Sequence, residues 1–315
     1  MSQHTAYHST VLDAPAGLVW ALVRDFNALP AWHPGIVRSE IEGGRRSDSV
    51  GCVRSFTLAD GAHIREKLLS LCDQTMSFTY DFQTSPIPAR NYEATLRLTK
   101  VTKGDRTFAE WRATFDCDPG KEAELTSLFR DGVFRTGFEA LKQKLAGGAG
   151  GVEPRPLWPA GPPAKVFVSD VLRAPPDAVW AVMRDFAGMG GWHDDITEMR
   201  MLDGRRSDEV GATRDFLFGD GRLHEQLIQL CDLSRSFTYR ITQSPMPWLG
   251  YVAGARLHHV VDGDRTFAVW TADWTAAPHD DLALIPTVHE DVFQKAFDTL
   301  NARHFAHGAS GAAQG

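Results

Sequence analysis

Residues 51–69 read GCVRSFTLADGAHIREKLL. Ala59-Asp60-Gly61 suits a three-residue hairpin loop in which Gly61 takes the left-handed position. With that loop, Leu58 faces Ala62, Phe56 faces Ile64, Arg54 faces Glu66 and Cys52 faces Leu68. Alternate residues of a strand point to the same side. Phe56, Leu58, Ile64 and Leu68 therefore share one face, and Arg54 and Glu66 share it with them. Ser55, Thr57, Arg65 and Lys67 take the other face, which suits water. The pattern sets a guanidinium and a carboxylate into an apolar wall.

The arrangement recurs. The stretch GATRDFLFGDGRLHEQL (211–227) is one residue shorter near its turn. A three-residue turn there would oppose Arg214 to Gln226 and swing Leu223 outward. Phe216, Phe218, Leu223 and Leu227 can share a face only if the turn contracts to Gly219-Asp220, with glycine first as type II′ turns prefer. In that register Arg214 faces Glu225, so the turn changed length while the charged pair stayed opposed.

The two hairpins belong to a longer internal repeat. APAGLVWALVRDF (14–26) returns as APPDAVWAVMRDF (174–186), GGRRSDSVG (43–51) as DGRRSDEVG (203–211), LCDQTMSFTY (71–80) as LCDLSRSFTY (230–239), and DRTFAEW (105–111) as DRTFAVW (264–270). The offset is 160 residues before the hairpin turn and 159 after it. A unit this long implies two globular domains, placed at 1–145 and 164–306. The segment between them, AGGAGGVEPRPLWPAGPP (146–163), has ten Gly or Pro among eighteen residues and is expected to be a partly stiff linker. The tail at 307–315 is expected to be disordered.

Each unit reads as a strand (about 5–12 and 165–172), a short amphipathic helix with Trp20, Val23 and Phe26 or Trp180, Met183 and Phe186 as its stripe, a connection holding Trp32-His33 or Trp192-His193, several period-two strands, and a long helix at about 120–145 or 280–304. Leu125, Leu128, Phe129, Phe134, Phe138 and Leu141 form the buried stripe expected of the first long helix. The expected fold class is α+β: two tandem helix-grip domains, each a curved antiparallel sheet wrapped around a long C-terminal helix, with a ligand cavity between the layers.

Composition excludes several functions. The net charge is −7 over 315 residues, with no run rich in Lys or Arg, which argues against nucleic acid as a partner. No stretch of 18 apolar residues exists, so no membrane span is expected. The N-terminus lacks the basic and apolar regions of a signal peptide, and the four cysteines (Cys52, Cys72, Cys117, Cys231) show no CxxC and no nearby His. These features point to a cytoplasmic protein with reduced thiols, no metal and no other cofactor. No GxSxG, HExxH, Walker loop or GxGxxG is present.

Arg54, Glu66, Arg214 and Glu225 are the candidate catalytic residues. A structural ion pair is the plainer alternative, but desolvating two charges costs several kcal/mol and their attraction only roughly repays it, so two copies suggest a use. Burial raises the pKa of such a glutamate and the arginine lowers it, a combination suited to a general base beside an oxyanion holder. The same parity test turns Tyr80, Tyr92, Tyr239 and Tyr251 inward, where each is either a core aromatic with a satisfied hydroxyl or a polar contact to substrate. Phe56, Phe216, Trp111 and Trp270 are expected as cavity wall. His33 and His193 are expected to be surface or packing residues, and RRSD (45–48 and 205–208) a solvated turn. Met189-Gly190-Gly191 replaces Leu29-Pro30-Ala31 at the expected cavity mouth, so the two sites need not share a ligand.

These residues resemble those of the SRPBCC superfamily, which includes START lipid-transfer domains, pollen-allergen-type carriers and polyketide cyclases or aromatases. The resemblance rests on AP..VW.LV.DF (14–26), Trp32, the G..R.F strand (51–56), the RE.L strand (65–68) and the A.W.A.F strand (109–115), and it covers nearly all of both repeats. Each half further resembles the lachrymatory factor synthase type and the polyketide cyclase type. That likeness implies catalytic roles for Arg54 and Glu66, with Tyr80 and Tyr92 shaping or polarising the site, and the same for Arg214, Glu225, Tyr239 and Tyr251. It implies a small hydrophobic substrate or ligand and a cyclase, lyase or isomerase; the alternative is a non-catalytic carrier or sensor. Oligomeric state and packing of the two domains on each other stay open.

Overall fold

A computed structural model of the chain describes residues 3–148, 152–153, 164–202 and 204–306, and most of the expected linker and all of the expected disordered tail lie outside them. The chain forms two compact units, each an α+β helix-grip fold.

The first unit begins with β1 (His4–Leu12) and the short helix α1 (Ala16–Val23). One 3-10 turn over Leu29–Ala31 leads to β2 (Ile36–Ile41). Then follow β3 (Val53–Leu58), β4 (His63–Cys72), β5 (Ser77–Thr84), β6 (Arg90–Val101) and β7 (Arg106–Asp116). The sheet order is β1-β7-β6-β5-β4-β3-β2, antiparallel throughout. The C-terminal helix starts as α2 (Glu122–Ser127), passes through a π-helical stretch (Leu128–Arg135) and ends as α3 (Thr136–Ala146). Its apolar stripe buries Leu125, Phe129, Phe134, Phe138 and Leu141 against the inner face of the sheet. Leu128, expected in that stripe, is 40% exposed, because the π-helical winding that begins there changes the phase of the helix face.

The second unit repeats this plan with β8 (Val166–Leu172), α4 (Pro176–Met183), β9 (Ile196–Met201), β10 (Thr213–Phe218), β11 (Gly221–Cys231), β12 (Ser236–Gln243), β13 (Leu249–Val260) and β14 (Arg265–Thr275). Its helix runs as α5 (Pro278–Pro286), a π-helical stretch (Thr287–Gln294), α6 (Lys295–Thr299) and a last π-helical turn (Leu300–His304).

The recurring sequence motifs are fold devices. Trp20 Nε1 and Arg24 both donate to Asp73, at 2.7 and 2.6 Å, which ties the VW..V.DF helix to the LCD turn. Trp180, Arg184 and Asp232 repeat the arrangement. The RRSD loop is anchored rather than merely solvated: Asp48 accepts from Arg46 and pairs with Arg24 at 3.5 Å, as Asp208 does with Arg206 and Arg184. The threonine of DRTF donates to the carbonyl of Ala14, or of Ala174, at 2.7 Å and pins the bend before the short helix.

Candidate functional site

The hairpin registers follow the sequence reading. Arg54 lies opposite Glu66 and Phe56 opposite Ile64; in the second unit Arg214 lies opposite Glu225 and Phe216 opposite Leu223. Gly61 has φ +87, and Gly219 has φ +57 with no positive φ at Asp220, as a type II′ turn requires. Register shifts flank the acid on its other side, between Arg65 and Glu66 and between His224 and Glu225. A bulge there bends the strand and aims the carboxylate inward.

Both charges are inside. Arg54 is 1% exposed and Glu66 5%; Arg214 is 2% and Glu225 4%. Arg54 Nε and Nη2 donate to one oxygen, Glu66 Oε2, at 2.7 and 2.6 Å, while Nη1 donates to the Phe26 carbonyl at 2.7 Å. The Phe26 ring lies 3.9 Å from the guanidinium carbon and the Tyr80 ring 4.9 Å, so the cation is held by π faces as well. Burial pushes the Glu66 carboxyl above the ordinary carboxylate range, and the Arg54 charge only partly opposes it; Glu225 behaves alike beside Arg214.

The tyrosines complete the polar part of the wall. Trp111 Nε1 donates to Tyr80 Oη at 3.0 Å, and the Tyr92 ring lies beside that of Tyr80 with centroids 6.3 Å apart. Burial raises both phenols well above 10, so they stay protonated. Tyr92 is turned in by a left-handed residue at Asn91, φ +49, where the second unit uses Gly250, φ +65. Trp270 approaches Tyr239 without meeting hydrogen-bond geometry, and its Nε1 has no partner among the described residues.

His33 and His193 are buried, at 4% and 1% exposure. His33 Nε2 lies 3.1 Å from the Val133 carbonyl at the end of the π-helical stretch, a carbonyl that also accepts from the Thr136 N–H, while Nδ1 accepts from the Gly35 N–H. His193 repeats this with Val292 and Asp195. Each ring is a neutral brace between connection and helix, and burial lowers its pKa. Nothing in the sequence marked the π-helical acceptor, so this role was not legible there.

The hollows of the two units differ. In the first, about 310 Å³ lies between sheet and helix, lined by His33, Arg54, Phe56, Glu66, Tyr80, Tyr92 and Trp111 among others. In the second, about 40 Å³ remains, lined by Met189, Phe216, Phe218, Glu225, Tyr239, Trp248 and Tyr251 among others. All the candidates of the first unit meet at one cavity, whereas Arg214 and Trp270 do not line the second.

Away from the cavity, the fold brings together one group that spacing did not reveal. Ligand atoms of His4, Cys117 and Glu122, all half-buried, lie within 4.8 Å of one another. The four cysteines form no disulfide. Among the described residues no helix is long and apolar enough to cross a membrane.

A seven-stranded antiparallel sheet packed on a long helix, with an apolar-lined hollow between the layers, defines a helix-grip ligand-binding fold. Residues 3–146 and 163–304 each match the family described as polyketide cyclase / dehydrase and lipid transport, and the chain belongs to that family. Among solved structures, XoxI from Bacillus cereus is 30% identical over 45% of this chain and 96% of its own, with a TM-score of 0.41. A protein from Thermobifida fusca is 29% identical over 48% of this chain and 97% of its own, at a TM-score of 0.42. The di-domain ARO/CYC BexL from the BE-7585A biosynthetic pathway is 12% identical and covers 96% of this chain and 98% of its own, at a TM-score of 0.41. No curated protein matches the chain.

Proposed function

We propose that the first unit binds a small or medium hydrophobic substrate bearing a carbonyl or comparable oxygen, and catalyses proton transfer on it as a cyclase, dehydratase or isomerase without a metal or nucleotide cofactor. The observation that carries this is the 310 Å³ hollow with Glu66 in its wall, a carboxylate whose proton affinity burial has raised. Glu66 shuttles the proton. Arg54 holds it in place and offers positive charge to an oxygen that becomes negative, and Tyr80 and Tyr92 act as neutral donors in an apolar wall. Arg214, Glu225, Tyr239 and Tyr251 are the equivalent set, with Phe56, Trp111, Phe216 and Trp270 as wall.

A second reading is favoured by a specific feature. Three N–H groups of Arg54 already end on protein acceptors, as expected if the pair orients a ligand head group in a non-catalytic carrier. Dehydration of 3-hydroxy-1-tetralone separates the readings: loss of the C2 proton, alpha to the carbonyl, and of the C3 hydroxyl as water gives the enone, which tautomerises to 1-naphthol, a fluorescent product. The enzyme reading expects turnover that Glu66→Gln reduces at least a hundredfold with the fold intact. Turnover unchanged in Glu66→Gln removes the mechanism. Tight binding without conversion, together with a hydrophobic molecule retained on gentle purification and seen by mass spectrometry, supports the carrier.

A further inference from the structure

The two units share the charged pair, the tyrosines and the histidine brace, yet one hollow is nearly eight times the other. The substitutions behind this act together. Leu58 becomes Phe218, whose ring meets His193 edge-on with centroids 5.8 Å apart, and His193 no longer lines the hollow as His33 does. Ala89 becomes Trp248, packed on Tyr251 at 4.7 Å and on Trp274 at 5.8 Å. Leu29 becomes Met189, whose Sδ lies 3.4 Å from Arg214 Nη2 and accepts from it. Gly35 becomes Asp195 and Thr136 becomes Lys295, and these join at 2.6 Å between the connection and the helix.

The methionine contact is informative about the first unit. A guanidinium has five N–H groups. In the second unit Nη2 serves both Glu225 and the Met189 sulfur, so four bonds reach protein acceptors. In the first unit Nη2 reaches Glu66, and the residue in the methionine's place is Leu29, which lines the cavity and cannot accept. A buried donor facing an apolar wall is costly unless something in the hollow accepts from it.

We infer that the second unit is a self-filled copy that takes no ligand, and that its Met189 sulfur occupies the place where, in the first unit, a neutral acceptor atom of the ligand meets Arg54 Nη2. The inference rests on the reading that the first hollow binds ligand, and it narrows the ligand to an apolar molecule with an uncharged acceptor such as a ketone oxygen. A carboxylate or phosphate is disfavoured, because Glu66 lies on the same nitrogen.

Isothermal titration of the full chain with 1-tetralone, and with tetralin as the oxygen-free control, tests this. The wild type should bind one equivalent of tetralone, at least tenfold tighter than tetralin. The variant Leu29→Met/Leu58→Phe/Ala89→Trp should bind none, and Leu29→Met alone should erase the preference for the ketone. The variant Met189→Leu/Phe218→Leu/Trp248→Ala restores to the second unit what the first carries, and should bind one equivalent more than the wild type. Should it not fold, Trp248→Ala alone decides the same question. Two equivalents in the wild type, or no gain in the opened variants, overturns the inference. No binding by the wild type with one equivalent gained on opening overturns the reading of the first unit and leaves the filled second unit standing.

Discussion

The first and second units hold the same buried ion pair, on hairpins whose turns differ by one residue, around hollows of about 310 and 40 Å³. What persists and what varies are therefore separable. Retention of the pair in a unit with almost no cavity shows that it also has a job in the fold: Arg214 bonds the Phe186 carbonyl as Arg54 bonds that of Phe26, joining the hairpin to the end of the short helix. Ligand access, in contrast, is set by residues around the pair. A feature can thus be structural in both units and chemical in one.

The largest expected effect bears on the shared part. Removing one partner of a buried pair leaves an uncompensated charge and costs about 3–5 kcal/mol. Arg54→Leu and Arg214→Leu should each destabilise their own unit by that amount, while Arg54→Met/Glu66→Leu should cost less, about 1–3 kcal/mol for the Phe26 carbonyl left without its donor. Urea unfolding followed separately for each unit checks this. A loss confined to one unit would break the claim that the pair does equal structural work in both.

Next in size is the filling of the second hollow. Truncating a buried aromatic typically costs about 3–5 kcal/mol, and Trp248 is only half-buried, so Trp248→Ala should cost about 2 kcal/mol. The reverse change, Ala89→Trp, fills space in the first unit and should cost less than 1 kcal/mol while removing tetralone binding. A Trp248→Ala variant as stable as the wild type would mean that the indole lies over the hollow without packing it.

Much of this was legible in the sequence. The pair could be placed inside because period two and turn chemistry fix register, and the shorter second turn made the apolar pattern choose a single solution. The α+β order and the inward tyrosines followed from the same alternation. The edge strands β2 and β9 escaped notice because only one of six residues in each is buried, which leaves no alternation to read. The π-helical stretches escaped because apolar spacing alone does not mark where the winding widens, and the histidine brace ends on a carbonyl within them. The unequal hollows were invisible for another reason: volume is the sum of many substitutions, and Phe129 to Val288 or Phe82 to Ile241 run opposite to Ala89 to Trp248.

The histidine braces make a smaller prediction, common to both units. Both nitrogens of each ring are engaged in the neutral form, and the folded pKa lies below the unfolded value near 6.5. Below about pH 6.5 the unfolded chain therefore binds more protons than the folded one. Stability gained from the neutral ring is fully present above that pH and is lost as pH falls through the folded pKa, by at most about 1.4 kcal/mol per pH unit for each unit. Around His33 the nearby charge is Arg54; around His193 they are Asp194, Asp195 and Lys295. His33→Asn should flatten only the first unit's profile in thermal unfolding between pH 5 and 7, and an unchanged profile would rule out the brace as its source.

The smallest effect concerns the clasp. Lys295 and Asp195 are 40% and 35% exposed, so their ion pair is screened by solvent and Lys295→Ala should cost no more than about 0.5 kcal/mol. Its position gives it more importance for access than for stability, since it joins the connection to the helix where the first unit has Gly35 and Thr136. In the opened variant of the second unit, Lys295→Ala should therefore quicken association of tetralone by several-fold in stopped-flow tryptophan quenching, with little change in affinity. An unaltered association rate would place the entrance elsewhere, and would make the filled interior alone responsible for the difference between the two units.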